Sequence, residues 1–503
     1  MMKPQIKNRI PGMLFSLLLA AVFVLFFGEC NTPLGPRVGS DNAMYLTMGT
    51  ALANGYAPYS DIFDHKGPLL FLLQMLPQLF TAGYSTFAVY LQEVLFLFAS
   101  LRILHAMGER LCAKESWVLE LTYLACLGPA MDGGNLTEEY AALFILAGLY
   151  VVLRVFDDGE ALEGAPKRLF LPAALLGGVA MLAFLTRANN ALGLCGMTLG
   201  LAAYLLLKKK FAHLGACAGG FIAGMLIAAL PVVLWLAWHG ALWDAFYGSI
   251  LHNMMYAATG STSRVHTLLF TAYGHGAKLM AAMACLGALA AFARTKKLGV
   301  PLGMVLAAAL AGLSCFISHK FYSHYLMVLA PIAAFGAAQM LAMVPRFCCC
   351  GRRQRVRMAL GLIAALVLVV SGVRANNNRL YEIEIQGSFE QDARDLYALV
   401  PEEDHDSFMA YRVEPKWYVY TKALPSMRFY FLQEILADAD PAVMDEIVTE
   451  FETNPPKWLV LYYNRPFSPP YDERVAAIFE NDYAFVDAKG QYQLLRLKED
   501  GDA

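Results

Sequence analysis

The most informative segment of this chain, residues 40–70, reads SDNAMYLTMGTALANGYAPYSDIFDHKGPLL. It lies between two apolar runs that are typical of membrane-embedded helices, and it carries Asp41, Asp61, Asp64, His65 and Lys66. Ionisable groups at a membrane face cost free energy, so they are usually retained for a function. The segment therefore predicts a membrane protein with chemistry on one face of the bilayer.

The composition supports a membrane protein. Of the 503 residues, 58% are hydrophobic and only 16% are charged, whereas a soluble domain carries about 25% charge. Apolar segments long enough to cross about 30 Å of hydrocarbon recur along the chain. They are residues 12–28, 86–106, 116–130, 139–156, 169–186, 190–207, 214–238, 268–293, 298–318, 324–344 and 357–374. We therefore expect about eleven transmembrane helices, with membrane lipids as partners and no nucleic acid.

Basic residues predict how these helices are oriented. Lys and Arg clusters lie at residues 3–9, 110–114, 167–168, 208–210, 294–297 and 346–357. With eleven spans every cluster falls on the same side, as the positive-inside rule requires. We therefore expect a multi-pass protein of the cell membrane with a cytoplasmic N-terminus and an extracytoplasmic C-terminal part. The apolar run at 67–80 is too short to span, and we interpret it as an interfacial or re-entrant helix on the external face.

A change in composition near residue 375 predicts two domains. Residues 1–374 form the transmembrane domain, with a first external loop at 29–85, and residues 375–503 form a small soluble α/β domain. Helices are predicted at 391–400, 440–454 and 470–481, and strands at 406–411, 416–421, 457–463, 483–488 and 492–498. All ten cysteines precede this domain, so it must fold without disulfides.

Several polar groups reach the same external face on this topology. They are Asp41, Asp61, Asp64, His65, Lys66, Asp132, Glu138, Glu139, Arg187, His252, Asn253, His319, Lys320, His324 and Tyr325. Acids that can act as a base thus meet cations that can hold a phosphate. This combination suits the transfer of a group from a lipid phosphate to a hydroxyl.

Each of these residues has a structural alternative. Asp41 is a good N-cap for the helix that follows it. Thr137 could be an N-cap, with Glu138 and Glu139 stabilised by the helix dipole. Arg187 ends an apolar run and could extend its guanidinium to the interface. His324 could form an interfacial hydrogen bond. Glu93 and Lys278 lie inside predicted spans, where pairing with a neighbouring helix is the expected role.

The segment also resembles a known family. An Asp soon after the first span, followed by the pattern YxxxGxxLxxGxxPYxDxFDHKGPL, is similar to the first external loop of the C-type (GT-C) integral-membrane glycosyltransferases. The likeness is closer to the branch that contains protein O-mannosyltransferases, the aminoarabinose lipid A transferase and rhizobial lipopolysaccharide sugar transferases. The resemblance implies a polytopic α-helical GT-C fold.

It also implies roles for the acids and the lysine of the external loops. In that family the loop Asp acts as the base or activates the acceptor, and Asp41 matches it. A lysine in a KPPL-type motif lies near the lipid phosphate and matches Lys66, although Gly67 stands where many relatives have proline. The second external acid of the family falls at Glu138 or Glu139.

The later motifs imply contacts with the donor. FLTRANN at 184–190 resembles the arginine motif after the fifth span, which places Arg187 near the phosphate. FYSHY at 321–325 resembles a His-Tyr motif, which places His324 and Tyr325 at the donor site. Some relatives bind a divalent metal, for which Asp41 and Glu138 would be the ligands here.

We therefore expect an enzyme that moves a sugar from a polyprenyl-phosphate donor to an extracytoplasmic acceptor, which is an envelope glycan, a lipid or a protein. One rival is a transporter or flippase of lipid-linked glycans, whose charges would line a central cavity instead of gathering on one side. The other is a ligase or polymerase that moves whole glycans. The residues do not identify the sugar or the acceptor.

Overall fold

The computed structural model describes residues 10–30, 38–111, 116–258, 264–317, 322–347, 350–462 and 472–499. Contacts between residues divide the chain into two compact units. The first contains Met1–Pro33, Tyr90–Trp235 and Ser261–Asn376, and the second contains Leu34–Val89, Leu236–Gly260 and Asn377–Ala503. His319 and Lys320, which were predicted to reach the external face, lie outside the described residues.

Most of the described chain is helical. The α-helices are α1 (Ile10–Phe27), α2 (Ser40–Ala53), α3 (Pro68–Gln78), α4 (Thr86–Leu111), α5 (Ser116–Leu127), α6 (Thr137–Asp158), α7 (Glu160–Glu163), α8 (Phe170–Thr186), α9 (Leu192–Leu207), α10 (Phe211–Trp238), α11 (Leu242–Phe246), α12 (Asn253–Ala258), α13 (Arg264–Thr295), α14 (Gly299–Phe316), α15 (Ala330–Phe347), α16 (Cys350–Tyr397), α17 (Lys416–Thr421), α18 (Gln433–Ala439), α19 (Ala442–Thr453) and α20 (Glu473–Asp482). Short 3₁₀ turns occur at Gly128–Ala130, Pro166–Leu169, Ala188–Ala191, Ser323–Val328 and Glu402–Ser407, and Tyr247–His252 is π-helical.

Ten helical segments of the described residues are long and apolar enough to cross a membrane, so the protein is a multi-pass membrane protein. They are Ile10–Phe27, Thr86–Leu111, Thr137–Asp158, Pro166–Thr186, Ala188–Leu207, Phe211–Trp238, Tyr273–Thr295, Gly299–Phe316, Ser323–Val344 and Gln354–Asn376. They match ten of the eleven predicted spans.

The segment at 116–130 is the exception among the predicted spans. Its helix α5 has 12 residues and is followed by the 3₁₀ turn Gly128–Ala130, so this described segment is shorter than the 18 residues of the shortest of the ten. Glu120 of α5 is fully buried and accepts hydrogen bonds from Ser16 Oγ at 3.1 Å and His105 Nδ1 at 2.7 Å. A buried acid with its own partners explains how this apolar run is held inside the protein.

Small residues bring the helices of the first unit close together. Gly196 and Gly200 of α9 face α14, where a Cβ at either position would overlap Ala307 or Gly303. Such small-xxx-small contacts are how membrane helices gain packing where lipid offers the same apolar surroundings as a neighbouring helix.

The second unit contains a four-stranded sheet with the strand order β1-β2-β4-β3. The strands are β1 (Phe408–Tyr411), β2 (Trp458–Tyr462), β3 (Tyr483–Lys489) and β4 (Tyr492–Leu497). Strand β1 pairs parallel with β2, and β4 pairs antiparallel with both β2 and β3. This mixed sheet with its helices confirms the predicted fold class, a polytopic helical protein with a small C-terminal α/β part.

One predicted strand of this unit is wrong. Residues 416–421, KWYVYT, form helix α17. Pro415 precedes the helix with a φ of −63°, which is already helical, and such a residue favours a helix start. The burial of Trp417 and Tyr418 outweighs the preference of aromatic residues for strands.

Candidate active site

A cluster of charged residues lies where helices of the first unit begin and end. Glu138 is in the first turn of α6, Arg187 follows the last residue of α8, and Tyr325 lies in the 3₁₀ turn before α15. Arg187 Nη1 donates to Glu138 Oε1 at 2.9 Å, and Arg187 Nη2 donates to the Tyr325 hydroxyl at 3.1 Å. The Arg187 and Glu138 side chains are only 5% and 3% exposed. The guanidinium is therefore fixed by two charge-assisted contacts in a dry setting.

Local backbone structure presents these groups. Arg187 has an extended backbone, with φ −166° and ψ 131°, between α8 and the turn Ala188–Ala191. Its carbonyl accepts from the Asn190 amide at 2.9 Å, which starts that turn. The Thr137 hydroxyl donates to Glu138 Oε2 at 2.7 Å, so both oxygens of Glu138 have partners. Thr137 is not the N-cap of α6, because that position belongs to Leu136.

Asp132 and His324 extend this arrangement. His324 Nδ1 lies 3.2 Å from Asp132 Oδ2, and the His324 ring packs edge-on against Tyr325 with centroids 4.8 Å apart. The hydrogen bond from His324 holds the pKa of Asp132 below its ordinary value, although partial burial opposes this. We call Asp132, Glu138, Arg187, His324 and Tyr325 the helix-end cluster.

Glu139 faces a different partner. Its Oε2 accepts from the Asn135 amide at 2.7 Å, and Glu93 Oε1 of α4 accepts from the same amide at 2.8 Å. Both carboxylates are buried. Glu93 and Glu139 therefore share the Asn135 amide of the loop before α6, whereas Arg187 pairs with Glu138.

In the second unit, Asp64, His65 and Lys66 form what we call the loop cluster. His65 Nδ1 lies 3.2 Å from Asp64 Oδ1, Lys66 Nζ lies 3.8 Å from the same oxygen, and Lys66 Nζ lies 3.1 Å from His65 Nε2. Burial raises the pKa of Asp64, but Lys66 and His65 outweigh it and lower that pKa to about 2. The Asp64 carboxylate is thus a buried anion held by its two neighbours.

The two other acids of this segment are placed differently. Asp61 is exposed and accepts from the Ala57 amide at 2.7 Å, so it closes a turn. Asp41 is half-buried in the first turn of α2, whose N-cap is Gly39. No side-chain hydrogen bond caps the start of α2 among the described residues. The alternative of Asp41 as an N-cap is therefore not realised.

Arg428 stabilises the loop cluster from the C-terminal segment, and no sequence motif marked it. Its Nε donates to the Tyr59 carbonyl at 2.8 Å, and its own carbonyl accepts from the Phe63 amide at 3.0 Å. Its two terminal nitrogens donate to Asp244 at 3.2 Å and Glu446 at 2.6 Å. These contacts fix the backbone that leads into Asp64.

The residues described do not fit a metal. Among residues with assigned positions, no group of three His, Cys, Asp or Glu side chains could hold a metal ion. Glu138, one of the two expected ligands, already has both oxygens engaged by Arg187 and Thr137. A dication there would also lie beside a guanidinium, which costs electrostatic energy.

Neither a protein-family model nor a curated protein matches this sequence. Solved structures share its fold. ArnT from Cupriavidus metallidurans bound to undecaprenyl phosphate is 13% identical with a TM-score of 0.61, over 97% of this chain and 98% of that chain. ArnT in the apo state is also 13% identical with a TM-score of 0.59, over 97% of this chain and 98% of that chain. The apo oligosaccharyltransferase of Archaeoglobus fulgidus is 12% identical with a TM-score of 0.53, over 89% of this chain and 69% of that chain. These similarities confirm, at the level of fold, the GT-C architecture that the sequence resemblance implied.

Proposed function

We propose that this chain, with the fold of ArnT along nearly its whole length, is a membrane glycosyltransferase. It transfers a sugar from a polyprenyl-phosphate donor to an acceptor outside the cytoplasm. The observation that carries the proposal is the fold match to a protein bound to undecaprenyl phosphate, which spans 97% of this chain and 98% of that chain. The helix-end cluster supplies chemistry that fits such a donor.

The leaving group explains the need for cations. When the bond between the sugar and the phosphate breaks, the electron pair stays on the phosphate and its negative charge increases. Cations and hydroxyl donors that already point at this position stabilise the transition state more than the ground state. We assign this role to Lys66, Arg187, His324 and Tyr325.

Arg187 is suited to such a contact. A guanidinium has five N–H donors in a planar fork, and contacts with Glu138 and Tyr325 engage one donor on each terminal nitrogen. The remaining N–H groups can bind phosphate oxygens while Glu138 keeps the fork in place. We therefore assign Glu138 to orienting Arg187, and Glu139 to holding the loop before α6.

The acceptor needs a base, and we assign it to Asp41. The acceptor oxygen attacks the sugar carbon, its proton passes to the Asp41 carboxylate, and the polyprenyl phosphate leaves. A base must be ionised and within about 2.6–3.2 Å of the proton it takes. The Asp41 carboxylate is half-buried in the first turn of α2 and is not the cap of that helix, so it can accept this proton.

Transfer of a whole glycan is the second candidate. The observation that favours it is the fold shared with an oligosaccharyltransferase at a TM-score of 0.53. The more complete overlap with ArnT favours the transfer of a single sugar.

A deletion strain tests the proposal in cells. We expect one envelope glycan or lipid to lack a single sugar, with accumulation of the corresponding polyprenyl-phosphate sugar. Wild-type protein should restore the product, and Asp41→Asn at equal membrane abundance should not. Loss of an entire glycan would favour the second candidate. Restoration by Asp41→Asn would remove Asp41 as the base, and an unchanged envelope with no donor accumulation would oppose a glycosyltransferase.

A further inference from the structure

We propose that His65 is a positioning residue for Lys66: it holds the Lys66 ammonium through its Nε2 atom and so directs the remaining ammonium N–H groups toward the donor phosphate. Asp64 fixes the tautomer that makes this possible. The inference rests on the proposed function, because it concerns the phosphate contact assigned to Lys66.

The tautomer follows from hydrogen-bond valence. A lysine ammonium has three donors and no acceptor, so the 3.1 Å contact between Lys66 Nζ and His65 Nε2 requires Nε2 to accept. The proton of the neutral ring then resides on Nδ1, which lies 3.2 Å from Asp64 Oδ1, an electrostatic contact and not a directed hydrogen bond. A histidine whose other nitrogen faces a carboxylate is oriented in the same way at many catalytic sites.

The charges of the cluster balance in this state. One carboxylate, one neutral ring and one ammonium give a net charge of zero before phosphate binds. The Asp64 side chain is 2% exposed and Lys66 is 13% exposed. Asp64 Oδ2 has no hydrogen-bond partner among the described residues. The negative charge of Asp64 therefore favours the tautomer of His65 whose proton is on the nearer nitrogen, Nδ1.

The surroundings prevent the histidine ring from turning away. The His65 ring packs against Tyr256 with centroids 4.7 Å apart and lies 6.3 Å from the His252 ring. The Tyr59 hydroxyl donates to the Lys66 carbonyl at 2.7 Å, and the Tyr59 ring stacks on Phe71 at 4.2 Å. Both the backbone and the head group of Lys66 are thus fixed.

Fixing the head group has a measurable benefit. A free lysine side chain loses rotamer freedom when it binds, at a cost equivalent to about 10-fold in affinity or more. A lysine side chain that His65 already orders loses less rotamer freedom on binding. We therefore expect His65 to strengthen phosphate binding although it need not contact the phosphate.

Binding of undecaprenyl phosphate to the full-length protein in nanodiscs tests the inference. Lys66→Ala should weaken binding by about 10- to 100-fold, the usual range for a lost charge-assisted contact. His65→Leu should weaken it by about 10-fold. His65→Gln, whose amide oxygen can accept from Lys66, should remain within about threefold of wild type. The double variant His65→Leu/Lys66→Ala should bind no more weakly than Lys66→Ala, because His65 acts through Lys66.

His405→Leu is the matched control. The His405 ring stacks on Tyr397 with centroids 4.7 Å apart, the same spacing as His65 on Tyr256. Its Nε2 contacts the Val400 carbonyl at 3.2 Å instead of a lysine. This substitution should leave undecaprenyl phosphate binding unchanged.

Three results would overturn the inference while leaving the proposed function intact: wild-type affinity in His65→Leu, a His65→Gln defect as large as the leucine defect, or additive losses in the double variant. Folded wild-type protein that does not bind undecaprenyl phosphate would overturn both. If His65→Leu does not fold, Asp64→Asn carries the test. It should weaken binding several-fold more in wild type than in the His65→Gln background, which has no tautomer to fix and loses only the 3.8 Å contact between Asp64 and Lys66. An equal loss in both backgrounds would overturn the inference.

Discussion

Removing Arg187 should produce a stability defect that depends on pH, whereas removing Glu138 should produce one that does not. The two side chains form a buried ion pair at 2.9 Å with exposures of 5% and 3%. At that distance Coulomb's law with an effective dielectric constant of about 20 gives about 6 kcal/mol. Breaking a buried pair by removing one partner costs about 3–5 kcal/mol, because the other charge stays buried without compensation.

The buried charge that remains after its partner is removed can be neutralised only by a change of protonation state. The Glu138 carboxylate can undergo this change and the Arg187 guanidinium cannot. A carboxyl of ordinary pKa about 4.3 can be protonated for about 4 kcal/mol at pH 7, but for only about 1 kcal/mol at pH 5. A guanidinium cannot lose its proton in this range. The electrostatic cost of Arg187→Ala should therefore fall by about 2 kcal/mol or more between pH 7 and pH 5, and that of Glu138→Ala should stay at about 3–5 kcal/mol.

Unfolding of the purified variants in mixed detergent micelles at the two pH values measures this difference. Arg154→Ala is the control, on the same helix α6 as Glu138. The Arg154 and Asp158 side chains that pair there are 55% and 40% exposed, so the pair should contribute less than about 1 kcal/mol. A defect in Arg187→Ala that is equal at both pH values would refute the buried ion pair, as would a Glu138→Ala defect that disappears at pH 5.

Three further predictions concern other parts of the molecule. Gly134→Ala should lower stability clearly more than Gly159→Ala. Both glycines have positive φ values, 74° and 70°, but a Cβ at Gly134 would overlap Glu93 whereas Gly159 has open space around it. Melting temperatures of the two variants in one detergent measure the difference, and equal shifts would count against the packing of Glu93. Asp64 has a pKa lowered from 3.8 to about 2, so its ionised form should contribute about 2 kcal/mol above about pH 5, and this contribution should be lost as the pH falls from about 5 to about 2. Unfolding of Asp64→Asn and wild type from pH 7 to pH 3 should show a shrinking difference in stability, and a constant difference would contradict the ion pairing. Asp41→Asn should fold and bind undecaprenyl phosphate normally while its turnover falls about 10²- to 10⁴-fold; near-normal turnover would make Asp41 a structural residue.

Much of the fold could be predicted from the sequence because membrane spans need only length and apolar composition. The segment at 116–130 shows the limit of that rule, since its apolar run hides Glu120, which is buried beside Ser16 and His105. Hydropathy does not register whether an apolar helix faces lipid or protein. The strand predicted at 416–421 fails for a related reason, because the tertiary burial of its aromatic residues decides its conformation.

The candidate site, like the fold, could be predicted from the sequence only in part. Motif order places Glu138, Arg187 and Tyr325 on the ends of neighbouring spans, and the structure brings these three into contact. The sequence could not distinguish Glu138 from Glu139, since adjacent residues of a helix point about 100° apart and only the partners show which one faces Arg187. Arg428 could not be predicted, because its contacts with Tyr59 and Phe63, which precede the loop cluster, span more than 360 residues of chain.

The most direct test supplies purified protein in nanodiscs with a panel of radiolabelled polyprenyl-phosphate sugars and an envelope lipid extract as the acceptor. We expect one donor to be consumed, with one polyprenyl phosphate released for each labelled sugar that reaches the acceptor, and this turnover to be lost in Asp41→Asn. Movement of intact donor across the membrane without release of polyprenyl phosphate, in protein that is shown to be folded, would contradict a glycosyltransferase and identify a transporter instead.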